Sequence, residues 1–412
     1  MDKYIFAAII FIVIFDFLFE NWLQYLNDSY RTKELPPEGR GIYPEDEYKR
    51  SQLYEKDKYR FSLITSIFSL ITILLMLLLG GFAFLDNALR HYTNHPIWLA
   101  LLFFGIIGLA SDLLNTPFSV YSTFVIEEKY GFNKTTIKTF IYDKIKGWFL
   151  SLVLGAPLLA FIVWLFDKGG NYTWLIAWGG VSAFMIFITF FYSTLLVPLF
   201  NKQTPLPDGE LKEAIKNMAD KTGFRLKDVF VIDSSKRSAK ANAYFAGFGA
   251  KKRIVLYDTI IEQLNTAELV AVLAHEIGHY KKKHVIKNML ISLLETGLLL
   301  YILSLFVQSP HLSKALGVHI PSFHIGVIAF GIIYGFISTL PAILMNSYSR
   351  ANEYEADRFA ANHNNAEALI SGLKKLSLKN LSNLLPHPWY VFVYYSHPPL
   401  LKRIKALQNF KK

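Results

Sequence analysis

The sequence predicts a predominantly α-helical, polytopic membrane protein with seven transmembrane helices and a cytosolic α+β unit built from two later segments. Three observations carry that expectation. Hydrophobic residues make up 52% of the 412 residues and charged ones only 18%. A mean hydropathy of +0.29 leaves more apolar surface than water-soluble cores can hide. Long apolar runs recur near 4–26, 62–85, 97–118, 148–166, 173–199, 286–307 and 323–345. The segments between these runs alternate sharply in basic content.

The elements follow in order. The first run reads as a retained helix, because Asp2 and Lys3 precede it, Asp16 and Glu20 lie inside it, and no small-residue cleavage site follows. Leu35 to Tyr43, with its prolines and glycines, reads as an extended loop. Spans one to five then form a membrane region over 1–199, and spans six and seven occupy 286–348. The stretches 200–285 and 349–412 are long enough to fold in water and are expected to complete one another. Within the first, Asp228 to Ile232, Asn242 to Phe248 and Arg253 to Thr259 read as strands, the last two joined at 249–252.

Charge sets the orientation. Residues 28–61, 119–147, 201–285 and 349–412 hold 8, 5, 15 and 10 Lys plus Arg, whereas the other connections hold Lys3, Arg90, Lys168 and Lys314, one each. The positive-inside rule therefore puts the N-terminus outside or lumenal and the C-terminus in the cytosol. The net charge of +11 is explained by this topology, so the lipid bilayer is the expected partner and nucleic acid is not. The chain has no cysteine, which excludes disulfides, thiolate nucleophiles, iron–sulfur clusters and thiolate zinc sites. Any metal must be held by His, Asp or Glu.

Residues 275–279 read His-Glu-Ile-Gly-His. On a helix His275 and His279 lie on one face a turn apart and can reach a single zinc ion, while Glu276 is rotated toward a water beside it. Asn265 and Glu268 suggest a capping box, and Leu269, Val272, Leu273 and Ile277 form an apolar stripe. Gly278 is unfavourable in a helix unless a neighbour approaches closely. A catalytic zinc keeps three protein ligands and one open position. The segment from Ser349 to Asp357 offers Glu353 and Asp357 four residues apart; one could bind the metal and the other orient an imidazole, or both could form a solvated acidic face. His284, five residues past His279, is expected to point elsewhere, with Lys281 to Lys283 at the membrane surface. Asn242 to Phe245 is the candidate edge for an extended peptide, although a hairpin that merely completes a core fits the pattern as well.

Taken together the residues resemble the type I CAAX prenyl proteases, integral-membrane zinc endopeptidases. The resemblance runs through Ser51-Gln52-Leu53-Tyr54 with Asp57-Lys58, Thr123 to Asn133, Asn242-Ala243-Tyr244-Phe245, Arg253 to Thr259, His275 to His279, Glu353-Tyr354-Glu355-Ala356-Asp357 and Ser396-His397-Pro398-Pro399. It implies one zinc per chain on His275, His279 and Glu353, with Asp357 supporting them and Glu276 as general base. It further implies that Asn242, Ala243 and Tyr244 hold the substrate and that His397 and Arg403 stabilise the oxyanion. The implied fold is seven helices around an intramembrane chamber capped by a zincin-like catalytic domain, a setting that suits Asp16, Glu20, Asp112, Asn115 and Glu295. The implied substrate is a peptide or protein, prenylated or otherwise membrane-associated, cut near its C-terminus. The implied membrane is endoplasmic reticulum and nuclear envelope in a eukaryote, or the plasma membrane in a bacterium. Two alternatives are a quality-control protease of the HtpX type and a seven-helix transporter or scaffold with a vestigial metal site; the intact His, His, Glu and general-base set argues against the second.

The orientation is directly testable because no native cysteine interferes. A cysteine placed between 309 and 321 is expected to react with an impermeant reagent from outside, and one near 236 only from the cytosolic side. Labelling of both from the same side overturns the assignment.

Overall fold

A computed structural model describes residues 1–410 apart from 33, 225, 227 and 247–252. Among the described residues, six helices are long and apolar enough to cross a membrane, and a bent pair taken as one span makes a seventh. The first five are α1 (Asp2–Ser29), α2 (Glu45–Leu78), α3 (Pro96–Glu127), α4 (Ile137–Lys168) and α5 (Thr173–Phe200). The apolar run near 62–85 is not one helix: α2 stops at Leu78, and Gly80, at φ 67°, turns the chain into a short helix Gly81–Arg90. At its other end α2 starts at Glu45, so a polar stretch carrying Tyr54 and Lys58 projects from the membrane. Inside the membrane Asp112 is paired, accepting from Lys144 at 2.7 Å and from the Trp148 indole at 3.0 Å across α3 and α4.

Wide π-helical turns interrupt α3 at Ser122–Glu127, α4 at Ser151–Gly155 and α5 at Tyr192–Leu196. Two of them hold the soluble part: the Ser193 carbonyl accepts from Gln203, and the Glu127 carboxylate accepts from Lys240.

That soluble part begins with β1 (Gln203–Pro205), α6 (Glu210–Lys221), β2 (Asp228–Ile232), β3 (Ala243–Ala246) and β4 (Arg253–Tyr257). The sheet order is β1-β2-β4-β3, with β2 and β4 parallel and β3 antiparallel to β4 at one edge. The anticipated strands are present, the turn expected at 249–252 lies outside the described residues, and β1 is an addition too short to show periodicity. The last strand ends early because Asp258 accepts backbone N–H groups from Ser235 and Thr259, which starts the helix Asp258–Gln263.

Next comes α7 (Thr266–Lys281), begun by the anticipated capping box: Asn265 Oδ1 accepts from the Glu268 N–H at 2.9 Å, and Glu268 accepts from the Asn265 N–H at 3.0 Å. Its apolar stripe of Leu269, Leu273 and Ile277 is fully buried with Ile254 and Leu256 of β4. The chain then re-enters the membrane as α8 (His284–Phe306) and returns through α9 (Phe323–Ile337) and α10 (Thr339–His363). These last two meet at 47°. Pro341 is the cause, since it offers no N–H to the Ile337 carbonyl and its ring crowds that group. The second soluble piece continues α10 into α11 (Ala366–Lys379) and ends with α12 (Leu400–Asn409). Glu268 joins the two pieces, accepting from Ser371 at 2.7 Å and Lys375 at 2.8 Å.

Gly278 lies where α7 meets α10. A Cβ there would stand 3.1 Å from the Ala356 Cα and 3.1 Å from the Phe359 Cβ. Gly278→Ala is therefore expected to pry the helices apart, at about 1–3 kcal/mol for overpacking. A lower unfolding temperature together with reduced zinc content in the purified protein is the expected result; wild-type values for both would show the contact to be slack.

Candidate functional site

The capped helix α7 presents His275 and His279 to Glu353 on α10. The two Nε2 atoms are 3.2 Å apart; Glu353 places Oε1 3.2 Å from His279 Nε2 and Oε2 3.5 Å from His275 Nε2. Ligand atoms about 2.0–2.1 Å from a tetrahedral zinc lie about 3.3 Å from one another, so this donor set matches zinc in both chemistry and spacing. Glu353 Oε2 is also buried without a hydrogen-bond partner, a costly state that a cation at this point would relieve. Burial disfavours a charge on His275, yet the facing carboxylates of Asp357 and Glu353 outweigh it and push its pKa up to about 9. Surroundings that stabilise positive charge here are those a divalent cation needs.

Behind His275, the fully buried Asp357 accepts from Nδ1 at 2.8 Å. Arg403 on α12 grips the same carboxylate twice, from Nε at 2.8 Å and from Nη2 at 2.6 Å. Glu353 thus faces the Nε2 atoms of both histidines, and Asp357 faces the opposite side of the His275 ring. Arg403 is buried rather than spread among headgroups, and its Nη1 lies 3.4 Å from Glu353 Oε2. His397 arrives from a loop that folds back, bringing Nε2 to 3.3 Å from Glu353 Oε1. Pro398 keeps it out of the helical region.

His284 corrects an expectation. It is buried, with Nδ1 3.0 Å from His279 Nδ1 and Nε2 3.2 Å from Glu355 Oε2. Spacing along an unbroken helix pointed it away from the site. Instead α7 ends at Lys281, and Lys283 takes the left-handed conformation at φ 59° before α8 begins, which swings His284 back under His279. Each imidazole of the pair therefore has its own outer partner. Sequence reasoning passed over Lys240 and gave no site role to Tyr54 and Glu127, which lie in stretches that carry the resemblance; the three form a cluster beside the site, with Lys240 Nζ reaching the Tyr54 hydroxyl and Glu127 Oε2, each at 2.8 Å.

Two cavities flank the donor set. One, of about 510 Å³, is lined by Glu276, His279 and Tyr244 together with Ile188, Val285 and Ile286 of the membrane helices. The other, of about 570 Å³, is lined by His397, Arg403, Tyr54, Lys58 and Lys240. Between them runs β3, with Ala243 buried and Asn242 just before it, its Oδ1 accepting from the Ala243 N–H at 2.8 Å. Glu276 shares its cavity with Tyr244 of that edge strand.

Fold and site together define a membrane-embedded metallopeptidase in which a His-Glu-x-x-His helix and a later glutamate form a group that could hold a metal ion. Residues 24–202 match the family description "CAAX prenyl protease N-terminal, five membrane helices", and residues 205–411 match peptidase family M48. The CAAX prenyl protease 1 homolog of Oryza sativa subsp. japonica is 37% identical over 98% of this chain and 97% of its own length. CAAX prenyl protease 1 of Saccharomyces cerevisiae is 34% identical over 96% and 93%. The crystal structure of S. mikatae Ste24p superposes with a TM-score of 0.92 at 33% identity, covering 99% of both chains. The chain belongs to the type I CAAX prenyl protease family, and it is a membrane metalloendopeptidase of the zinc-dependent M48 group. That membership favours the CAAX-protease reading over both the HtpX-type and the transporter alternatives.

Removing His284 tests its support of His279. Outer partners of ligating histidines typically contribute about 10–100-fold in metal affinity. His284→Ala is expected to weaken zinc binding by that order, read by competition with a chromophoric chelator. Unchanged affinity would mean that the contact with His279 is incidental.

Proposed function

We propose that the protein binds one zinc ion through His275, His279 and Glu353 and cuts prenylated, CAAX-type C-termini of membrane-associated peptides or proteins. The observation that carries the metal assignment is the convergence of three donors at mutual distances of 3.2–3.5 Å. When bound, zinc supplies the Lewis acidity that polarises a carbonyl and acidifies a water. The chain's own residues do the rest. Glu276, a neighbour of both ligands that is not in the donor set, takes the proton of the attacking water and returns it to the leaving amine. Asp357 holds the His275 ring in place, and Arg403 holds Asp357. His397, with Arg403 behind it, offers hydrogen-donating and positive groups to the oxyanion that develops on the scissile carbonyl. Asn242, Ala243 and Tyr244 keep the peptide extended by backbone pairing along β3.

Two observations support a lipidated substrate. The relatives carry CAAX prenyl protease names, and the cavity shared by Glu276 and His279 is walled by Ile188, Val285 and Ile286. The N-terminus is assigned to the outside or lumen, with the catalytic unit in the cytosol where CAAX-type C-termini reside.

Matched farnesylated and unmodified peptides test the reading. Purified protein is expected to cleave the farnesylated peptide at least ~10-fold more efficiently, a methylene-rich chain contributing about 0.8 kcal/mol per buried CH₂. A chelator should abolish cleavage and zinc should restore it. Glu276→Gln is expected to retain zinc while turnover falls about 10²–10⁴-fold. Equal cleavage of the two peptides would remove the lipid from the recognition element, and wild-type turnover in Glu276→Gln would remove Glu276 as the base.

A further inference from the structure

We propose that Lys58 and Lys240 bind the free C-terminal α-carboxylate of the substrate and so set which bond, counted from the chain end, meets the metal site; this rests on the proposed function above. The direction of the peptide supplies the first half of the argument. Strand β3 pairs with β4 on one side only, so among the described residues its other edge is open for an added strand. Antiparallel addition is the more stable pairing per residue. It makes the substrate run against β3, from Tyr244 toward Asn242 and then toward Lys240. Residues before the scissile bond then lie by the cavity of Ile188, Val285 and Ile286, and residues after it enter the cavity of His397 and Lys240.

The chemistry of the two cavities gives the same direction independently. A lipidated residue belongs on the apolar side and a charged chain end on the cationic side. Among ionised side chains lining the second cavity, Lys58, Lys240 and Arg403 face a single carboxylate, Glu55. Arg403 is committed to Asp357 and Glu353. The two lysines are not used up. Lys240 gives hydrogen bonds to Tyr54 and Glu127, and Lys58 gives one to Glu55 at 3.1 Å, whereas each ammonium has three donors. Their Nζ atoms lie 5.0 Å and 5.2 Å from the Tyr54 ring centroid, so both ammoniums stand at one tyrosine in the wall of the same cavity. Their side chains stay 48% and 36% exposed, open to an incoming anion.

The test uses two farnesylated peptides that differ only at the C-terminus, one a free acid and the other a carboxamide. Hydrogen bonds to charged groups translate to roughly 10- to 100-fold in kcat/KM, so the wild type is expected to prefer the acid by that factor, mainly through KM. The Lys58→Gln/Lys240→Gln double variant is expected to shrink the acid-to-amide ratio to within about twofold, and Lys240→Arg in the wild-type background to preserve it. Because the ratio is taken within one preparation, partial misfolding cancels. A wild type that cleaves both peptides equally overturns carboxylate recognition while leaving prenyl-directed cleavage standing. A preference that persists in the double variant overturns the assignment to these lysines. If neither farnesylated peptide is cut, the underlying function fails and this inference with it.

Discussion

The site hangs on one buried carboxylate. Asp357 is fully buried and joins three parts of the chain far apart in sequence: its own helix α10, His275 on α7 and Arg403 on α12. An unpaired carboxylate at that depth is expensive, and breaking such a pair typically costs about 3–5 kcal/mol. The ion pair therefore does not simply add stability. It makes the register of α7, α10 and α12 non-negotiable, because a shift of one turn in any of them leaves a charge stranded. Gly278 acts in the same direction by letting α10 lie against α7 with no side chain between them. Glu353, one turn from Asp357, inherits its position from this clamp, and His397 inherits its own from the loop that leads into α12.

Much of this was legible in the residues, and the illegible parts share a cause. The His-Glu-x-x-His face, the cap at Asn265 and Glu268, the bare Gly278 and the strand at Asp228–Ile232 are local patterns, set by geometry within a few residues, and the structure has each of them. The carboxylate pair at Glu353 and Asp357 was visible, but which one faces the metal depends on how α10 rotates against α7, which spacing does not encode. His284 was misplaced because helical spacing was extended through Lys282 and Lys283, where the helix stops and restarts. Span 62–85 was drawn too long for a similar reason: hydrophobicity continues past Gly80, but the backbone turns there. In the seventh crossing Pro341 was present to be read, but its effect is an angle rather than a break in hydrophobicity. Lys240 carried no local signal, because its meaning comes from Tyr54 and Glu127, 186 and 113 residues away.

The basic residues of the soluble segments have two consequences. By the positive-inside rule they are the basis of the expected topology. The same excess leaves ammonium donors open around the site even where the cations are paired, Lys58 with Glu55 and Lys240 with Glu127. Arg237 is taken by Asp143, Lys375 by Glu268 and Arg403 by Asp357, yet Lys58 and Lys240 still line an open cavity. The basic excess thus also polarises the surroundings of the donor set.

That polarity gives meaning to the arrangement of the membrane helices around the soluble unit. The π turns at Ser122–Glu127 and Tyr192–Leu196 lie at the two flanks of the site. The first presents Glu127 to the lysine cluster, and the second brings Tyr192 and Ser193 to the apolar cavity beside Tyr244. An α-helical turn in either place would rotate these residues by roughly 100° per residue of register, turning Glu127 away from Lys240 and Ser193 away from the sheet. The local widening of each span therefore aligns an apolar wall on one side of the metal donors and a charged wall on the other. A substrate whose two ends differ as a lipid differs from a carboxylate has only one favourable way to lie across such a site. The edge strand between the walls needs to supply only straightness.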